Sequence, residues 1–246
     1  MPKIHRAMGL TRSKLAGLAA ALMLVNTGCL ANLTVYPISA DIGPGQEATT
    51  LQVLSKSPQT QYVRVGVKRI LNPATPRETE VDVDSQQGLV VSPDKFALPA
   101  GATRTVRLIS LATPSQEEAW RVYFEPVAAL SEDETPATQN AQVNVNLVWG
   151  VLVRLLPAVA QPQLARSADG SQLLNPGNVR LGILKVGHCT PACRWQQIDR
   201  SVYPGEALTL PTGMSGGVVR VEYRDGAATP ATADLPAGAS TPKKLN

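Results

Sequence analysis

The side chains best suited to chemistry stand together in the stretch GHCTPACRW, which contains His188, Cys189 and Cys193. One histidine and two cysteines could hold a metal or form a redox pair, but a tetrahedral zinc site needs a fourth ligand and none stands nearby. Pro191 favours a turn between the two cysteines. In an oxidising compartment such a pair forms a disulfide, so we expect a Cys189–Cys193 bond, with the metal or redox pair as the alternative.

Catalytic patterns are scarce elsewhere. Besides His5 near the start of the chain, His188 is the only histidine. Its neighbouring cysteines favour a disulfide, so a Ser/His/Asp or Cys/His catalytic triad is not expected. No glycine-rich loop follows a strand and opens a helix, as a phosphate site requires. No carboxylate pair has a recognisable catalytic setting, although acids distant in sequence can meet in space. We therefore expect no enzymatic activity, no cofactor, no metal and no small-molecule substrate.

The first 31 residues have the pattern of an export signal. Four basic residues and no acidic one precede a short apolar run over 15–25, and small residues follow it. Cleavage after Ala31 fits this pattern, and the apolar run is too short for a permanent membrane span. Because Gly28 precedes Cys29, lipid attachment at Cys29 is an alternative, which Asn26 at the start of such a motif disfavours.

Removal of residues 1–31 changes the charge balance. It takes away four of the 23 lysines and arginines and none of the 19 acidic residues, so 19 of each sign remain. The basic character of the full chain therefore belongs to the export signal and does not indicate nucleic-acid binding.

The rest of the chain reads as short strands separated by turns. Alternation within runs such as QYVRVGVKRI and TRTVRLISL, with turn residues every 8–12 positions or so, favours an all-β fold of sandwiches. A proline-rich stretch over 157–171 reads as a linker, which predicts two β-sandwich domains, 32–157 and 158–246. The tail contains a possible edge strand over 231–235 or is frayed.

The segment over 142–157, QVNVNLVWGVLVRLLP, has an unusual composition. Its first half alternates polar and apolar residues, as in a strand with one wet face, but from Leu147 onward nearly every residue is apolar. Arg154 is its one charge and Pro157 ends it. The polar run over 130–142 before it, including the acidic stretch SEDE over 131–134, is typical of a long solvated loop.

Ordered motifs along the chain resemble the periplasmic chaperones of the chaperone–usher pathway, which fold and deliver pilus subunits. The stretch LVVSPDKFALPAGATRTVRLISL is similar to that family's signature, and WRVYFEPV, LLNPGNVRLGILKV, VYPGEALTLP and VRVEYRDG are similar to its later strands in the same order. The resemblance implies two immunoglobulin-like sandwiches, a periplasmic location, and pilus subunits and the outer-membrane usher as partners. The WGVLV run suggests a divergent, alternative-class member.

The resemblance also implies roles for single residues. In this family the first domain lends a strand to a subunit that lacks one. The matching alternate positions are Val143, Val145 and Leu147, with Trp149 as a possible extension; by their pattern alone, these residues would be ordinary sandwich core.

The family also holds the subunit's terminal carboxylate with basic residues. Arg154 is the nearest candidate on the strand, with Arg64 or Lys68 as possible substitutes. Counting back from Pro157, however, the family's anchoring lysine falls nearer Leu152, and the first strand here lacks the family's second basic residue. The alternative function is a structural pilus or cell-surface protein with two immunoglobulin-like domains.

Overall fold

The computed structural model describes residues 32–83, 88–127, 147–189 and 192–241. These residues form strands and turns without a helix, and they therefore include no apolar helix long enough to cross a membrane. The strands are β1 Leu33–Tyr36, β2 Ser39–Ile42, β3 Ala48–Ser55, β4 Gln61–Leu71, β5 Thr79–Asp82, β6 Leu89–Ser92, β7 Lys95–Leu98, β8 Thr103–Ser110, β9 Glu118–Val127, β10 Trp149–Leu155, β11 Ala165–Arg166, β12 Gln172–Leu174, β13 Leu181–Cys189, β14 Cys193–Val202, β15 Ala207–Thr209, β16 Val219–Arg224 and β17 Ala231–Leu235.

Strands β1–β10 form the N-terminal sandwich. One sheet has the order β1-β3-β8-β6, and the other has the order β2-β10-β9-β4-β5 with β7 paired to β4. Alternate residues point between the sheets, as expected for strands that bury one face. Their side chains form one core in which, for example, Val53, Val106 and Val153 are fully buried. The prediction of an all-β fold is confirmed.

The first predicted strand is divided at Pro37. Its first part, β1, pairs with β3 in one sheet, while β2 pairs in parallel with the end of β10 in the other. A proline lacks the N–H that a ladder needs, so the change of sheet at this point has a simple cause. As a result, β2 covers only the second half of one edge of β10.

Strands β11–β17 form the C-terminal sandwich, with sheets β11-β12-β15 and β14-β13-β16-β17. It has its own core, and β17 confirms the predicted edge strand over 231–235. The stretch 157–171, which its composition predicts to be a linker, is partly built into this sandwich, because the side chains of Leu164 and Arg166 are buried in it. Arg166 donates hydrogen bonds to the carbonyls of four residues, Gly170, Met214, Gly217 and Leu235.

A small set of residues joins the two sandwiches. Ile70 and Ala119 of the N-terminal sandwich pack against Tyr203 of the C-terminal one, and Leu152 lies at the margin of this cluster. Beside it, the Glu117 N–H donates to the Asn178 carbonyl at 2.8 Å. The two-sandwich architecture expected from the sequence is therefore observed, with direct contacts between its halves.

Candidate functional site

One edge of β10 is open along its first half. The Leu152 N–H donates to the Ile38 carbonyl at 3.3 Å, so the backbone groups of Leu152 point to the edge that β2 covers. Because these groups alternate in direction along a strand, the N–H and carbonyl of Gly150 point to the same edge. Gly150 lies before the part of β10 that β2 covers, and none of the described strands pairs with β10 on that side.

Exposed apolar side chains surround this open edge. Tyr36 and Ile38, on either side of Pro37, are 72% and 67% exposed, and Leu147 and Val148, just before β10, are 50% and 44% exposed. An open strand edge beside apolar side chains is a template for another chain. Of the predicted donor residues, Leu147 lies in this group, while Val143 and Val145 lie outside the described residues.

Trp149 differs from Leu147 in its surroundings. Its ring packs against the core of the N-terminal sandwich, and its indole N–H donates to the Leu33 carbonyl at 2.7 Å. Leu33 belongs to β1 in the opposite sheet, so Trp149 connects the two sheets at the end of the sandwich.

A row of paired residues crosses the outer face of the β10 sheet at the point where β2 begins. We name it the Leu152 row: Asp82, Lys68, Arg121, Leu152 and Ser39 lie opposite one another on successive strands. Leu152 and Ser39 are uncharged, in agreement with the departures noted in the sequence. The positive charges of this row come instead from Lys68 on β4 and Arg121 on β9.

Arg154 lies two residues further along β10, where β2 covers the edge. Its guanidinium makes two hydrogen bonds to the Asp41 carboxylate on β2, at 2.7 and 2.6 Å. A third contact, at 3.9 Å, joins it to Glu117 Oε1. The side chain is 20% exposed. Burial lowers the pKa of Arg154, but the hydrogen bonds and charge of Asp41, together with the charges of Glu117 and Tyr203, outweigh it, so the pKa is raised overall and the charge is retained.

The two substitute candidates are held more loosely. Lys68 Nζ lies 3.3 Å from Asp82 Oδ1, and the Asp82 side chain is 87% exposed. Arg64 lies 3.8 Å from Glu125, and both side chains are about half exposed. Arg121, by contrast, contacts Glu78 at 3.0 Å and Glu80 at 2.6 Å. Surface ion pairs contribute little, so Lys68 and Arg64 can change partner at small cost.

Glu117 connects the charges of the two sandwiches. Its side chain is 3% exposed, and Oε2 accepts the backbone N–H of Arg180 at 2.7 Å. Oε1 lies 3.9 Å from Arg154 and 3.8 Å from the Arg180 side chain, and no described group gives it a hydrogen bond. Burial is the dominant cause that raises the pKa of Glu117, and the Arg180 N–H and the two guanidinium groups only partly offset it.

The cysteine pair forms a bond, as expected. Cys189 and Cys193 lie opposite each other on β13 and β14 and are linked by a disulfide. Among the described residues, no group of three or more histidines, cysteines or acids is arranged to hold a metal.

Sequence reasoning missed two features of the site. The backbone of Gly150 is not paired by any described strand on this side because β2 begins only at Ser39, opposite Leu152. Arg121 reaches the Leu152 row from a strand that is distant in sequence. A Cβ at residue 150 would lie 3.2 Å from Arg121 Cδ and 3.3 Å from Tyr123 Cε1. The glycine in the WGVLV run therefore gives a signal, since a strand glycine often marks a close approach.

Comparison with known proteins gives relatives that cover most of the chain. No family model matches. The chain is 34% identical over 200 residues to a CS1 fimbrial subunit of Escherichia coli, in an alignment that covers 76% of this chain and 84% of the relative. It is 34% identical over 189 residues to a CFA/I fimbrial subunit of Escherichia coli, in an alignment that covers 72% of this chain and 79% of the relative.

Solved structures give a more specific result. A chain of the chaperone–tip adhesin complex of CFA/I fimbriae biogenesis superposes with a TM-score of 0.70 and 30% identity, over 85% of this chain and all of that one. The class 5 fimbriae chaperone CfaA gives 0.69 and 30%, over 83% of this chain and 99% of that one. The chaperone–tip subunit complex of archaic Csu pili from Acinetobacter baumannii gives 0.51 and 11%, over 83% and 98%, and shows the fold alone. Although both curated relatives are named fimbrial subunits, the structures at 30% identity are those of a fimbriae chaperone and a chaperone complex, and the chain belongs to the periplasmic pilus chaperones of the chaperone–usher pathway.

Proposed function

We propose that this chain binds pilus subunits in the periplasm by adding the open edge of β10 to a subunit that lacks a strand. The observation that carries the proposal is the edge of β10 at Gly150, which no described strand pairs, together with the exposed side chains of Tyr36, Ile38, Leu147 and Val148. Main-chain hydrogen bonds would give affinity, and the apolar side chains would fill the subunit's open core. Chaperones of this kind are not enzymes. Removal of residues 1–31 and delivery to an outer-membrane usher belong to the same proposal.

The position of β2 limits where a guest strand can lie. A strand added to the Gly150 edge must end before Ser39, because β2 occupies that edge from Leu152 onward. A guest that runs parallel to β10, as β2 does, has its C-terminal end there. Its terminal carboxylate then lies at the Leu152 row, where the positive charges of the row would attract it.

We assign the attraction of this carboxylate to Lys68. Lys68 lies in the Leu152 row, two strands and so about 10 Å from Leu152 and one strand further from a guest on the opposite edge, so its charge attracts the carboxylate across the row without a direct hydrogen bond. Its contact with Asp82 is exposed. Arg154 lies on the part of β10 that β2 covers, opposite Asp41. To bind a guest's carboxylate it would have to break its two short hydrogen bonds to Asp41. Arg64 is four residues, or about 13 Å, from Lys68 along β4.

Capture from the periplasm tests the main proposal. The tagged chain would be purified from periplasmic extract, and the proteins that accompany it would be identified by mass spectrometry. We expect a pilus subunit in near-equal amount. A chain that is recovered alone while subunits are expressed, or that is found built into isolated fibres, would favour the structural-component alternative and contradict the proposal.

Hydrogen exchange on the captured complex tests the edge itself. The Gly150 amide points to the open edge, whereas the Val151 amide points to β9 and is paired already. We expect capture to slow exchange at Gly150 and to leave Val151 unchanged. Unchanged exchange at Gly150 in a complex of near-equal composition would show that the subunit binds elsewhere.

The anchor is tested with Lys68→Glu and the matched control Arg64→Glu, which changes charge by the same amount on the same strand. Two unit charges about 15 Å apart attract each other by about 1 kcal/mol at an effective dielectric constant of about 20, so we expect the charge reversal Lys68→Glu to weaken capture by up to about tenfold. Arg64→Glu, further from the row, should have a smaller effect. Equal losses in the two variants would indicate a general charge effect, and a loss confined to Arg154→Gln would return the role to Arg154.

A further inference from the structure

A second row of paired residues crosses the outer face of the β10 sheet, next to the Leu152 row. We name it the Gly66 row: Gly66 on β4, Tyr123 on β9 and Gly150 on β10 lie opposite one another. Its last member, Gly150, is the residue whose backbone faces the open edge of β10. The row therefore leads from that edge across two strands, or about 10 Å, to an interior strand of the sheet.

The chain's own packing does not explain a glycine at position 66. At the other glycines of the described strands, Gly150, Gly182 and Gly187, a Cβ would lie within 3.8 Å of another side chain. At Gly66 it would have no atom of the described residues within 4 Å apart from its chain neighbours. The pairing of β4 with β9 is regular on both sides of Gly66, so the glycine does not mark a bulge. Because glycine weakens a strand, its presence here indicates the close approach of another chain.

The surroundings of Gly66 form a depression. On β4 it lies between the side chains of Arg64 and Lys68, which are 56% and 39% exposed. On β9 the Tyr123 hydroxyl lies 2.9 and 2.7 Å from the two carboxylate oxygens of Glu80, which holds the ring. The exposed backbone of Gly66 is therefore the floor of a space between long side chains.

The position of this depression indicates what fills it. The inner face of the sheet packs against the β1-β3-β8-β6 sheet, so a protein that binds the open edge of β10 and extends over the sheet can do so only on the outer face. At one end the outer face meets the C-terminal sandwich, where Ile70 packs against Tyr203. Gly66 lies four residues, or about 13 Å, from Ile70 along β4 and in the same row as Gly150. The depression is thus continuous with the open edge.

We propose that the Gly66 row is a second contact for the captured pilus subunit, whose surface packs on the bare backbone of Gly66 while its edge strand pairs with β10. This inference rests on the proposed function. Gly66 is then a specificity-determining residue, because any larger side chain would collide with the subunit without colliding with the described part of the chaperone.

Substitution of Gly66 separates this role from a structural one. Gly66→Ala and Gly66→Val add side chains of increasing size that point into open space. We expect the unfolding temperature of the free chain to be unchanged or higher, since both residues suit a strand better than glycine does. Wild-type and variant chains with different tags would be expressed together, and the subunit recovered with each would be compared. We expect capture to weaken with side-chain size, by about tenfold or more for Gly66→Val, because a packed contact does not accept added methyl groups.

A matched control and three outcomes complete the test. Gly216→Val adds the same side chain at another exposed glycine with open space around it, in a loop of the C-terminal sandwich, and should capture like the wild type. A Gly66→Val chain that captures normally and slows exchange at Gly150 would overturn this inference and leave the proposed function intact. A lower unfolding temperature of the free Gly66 variants would show that the chain itself covers the row, which would also overturn it. Failure of the wild-type chain to capture any subunit would remove both.

Discussion

Replacement of Glu117 separates the effect of burial from that of ion pairing at the contact between the sandwiches. Glu117→Ala removes the acceptor of the Arg180 N–H and leaves a space, whereas Glu117→Gln keeps an oxygen acceptor and removes the charge. An unpaired buried donor costs about 1–3 kcal/mol, and the space adds a further penalty. We expect Glu117→Ala to lower the free energy of unfolding by about 3 kcal/mol, or the unfolding temperature by about 6–12 °C.

The glutamine variant should behave differently. Because burial raises the pKa of Glu117 in spite of Arg154 and Arg180, its ionised form is less favourable in the folded chain than in water. Arg154 retains Asp41 as a partner in either variant. We therefore expect Glu117→Gln to change the unfolding free energy at pH 7 by less than about 1 kcal/mol.

The pH dependence provides a second measurement on the same variants. Between the ordinary pKa of 4.5 and the raised folded value, the folded chain keeps a proton on Glu117 that the unfolded chain has lost. The contribution of this group to stability is therefore present below pH 4.5 and is lost as the pH rises through the folded pKa. Urea unfolding across this range should show wild-type stability falling relative to Glu117→Gln. A glutamine variant as unstable as the alanine variant at pH 7 would refute the reasoning and make the ion pairs dominant.

Three other outcomes follow from the structure. The hydroxyl groups of Ser167 and Ser171 lower the pKa of Asp169 to about 2, and NMR titration should find that value, with a higher one in Ser171→Ala. Arg166→Met leaves four backbone carbonyls without their donor, so we expect unfolding measured by calorimetry to show a loss of at least about 3 kcal/mol in the C-terminal sandwich. Leu155→Ala, at a fully buried site, should cost about 3 kcal/mol in urea unfolding, and equal stability would contradict its place in the core.

The strands of the N-terminal sandwich were largely predictable from sequence. In β4 and β8 one face is buried and the other wet, so apolar residues alternate and the period identifies the strand. The division at Pro37 was not predicted, because the residues on both sides of it have the composition of a single strand. The short strand β5 was also missed, since its four residues carry two acids and show little alternation.

The site was predictable only in part. The disulfide follows from spacing, and the half-exposed Leu147 agrees with an alternation that continues past the core. The pairing of Arg154 with Asp41 could not be predicted, because it depends on the parallel pairing of β2 with β10 across more than a hundred residues of sequence. The buried Arg166 was also unexpected, since its acceptors Met214, Gly217 and Leu235 are distant from it in sequence.

The length of exposed edge on β10 balances two requirements, the binding of a subunit strand and resistance to aggregation. An open strand edge beside apolar side chains attracts any other edge, so a free chaperone needs that exposure to be short. Here β2 covers the edge from Leu152 onward, and Trp149 closes the core just before it, which leaves Gly150 as the described β10 residue whose backbone faces the open side. If β2 were shorter, a longer guest strand could pair with β10, but strand edges of unrelated proteins could also pair with it more readily. The length of β2 therefore sets both the reach of a subunit strand and the chain's own resistance to association.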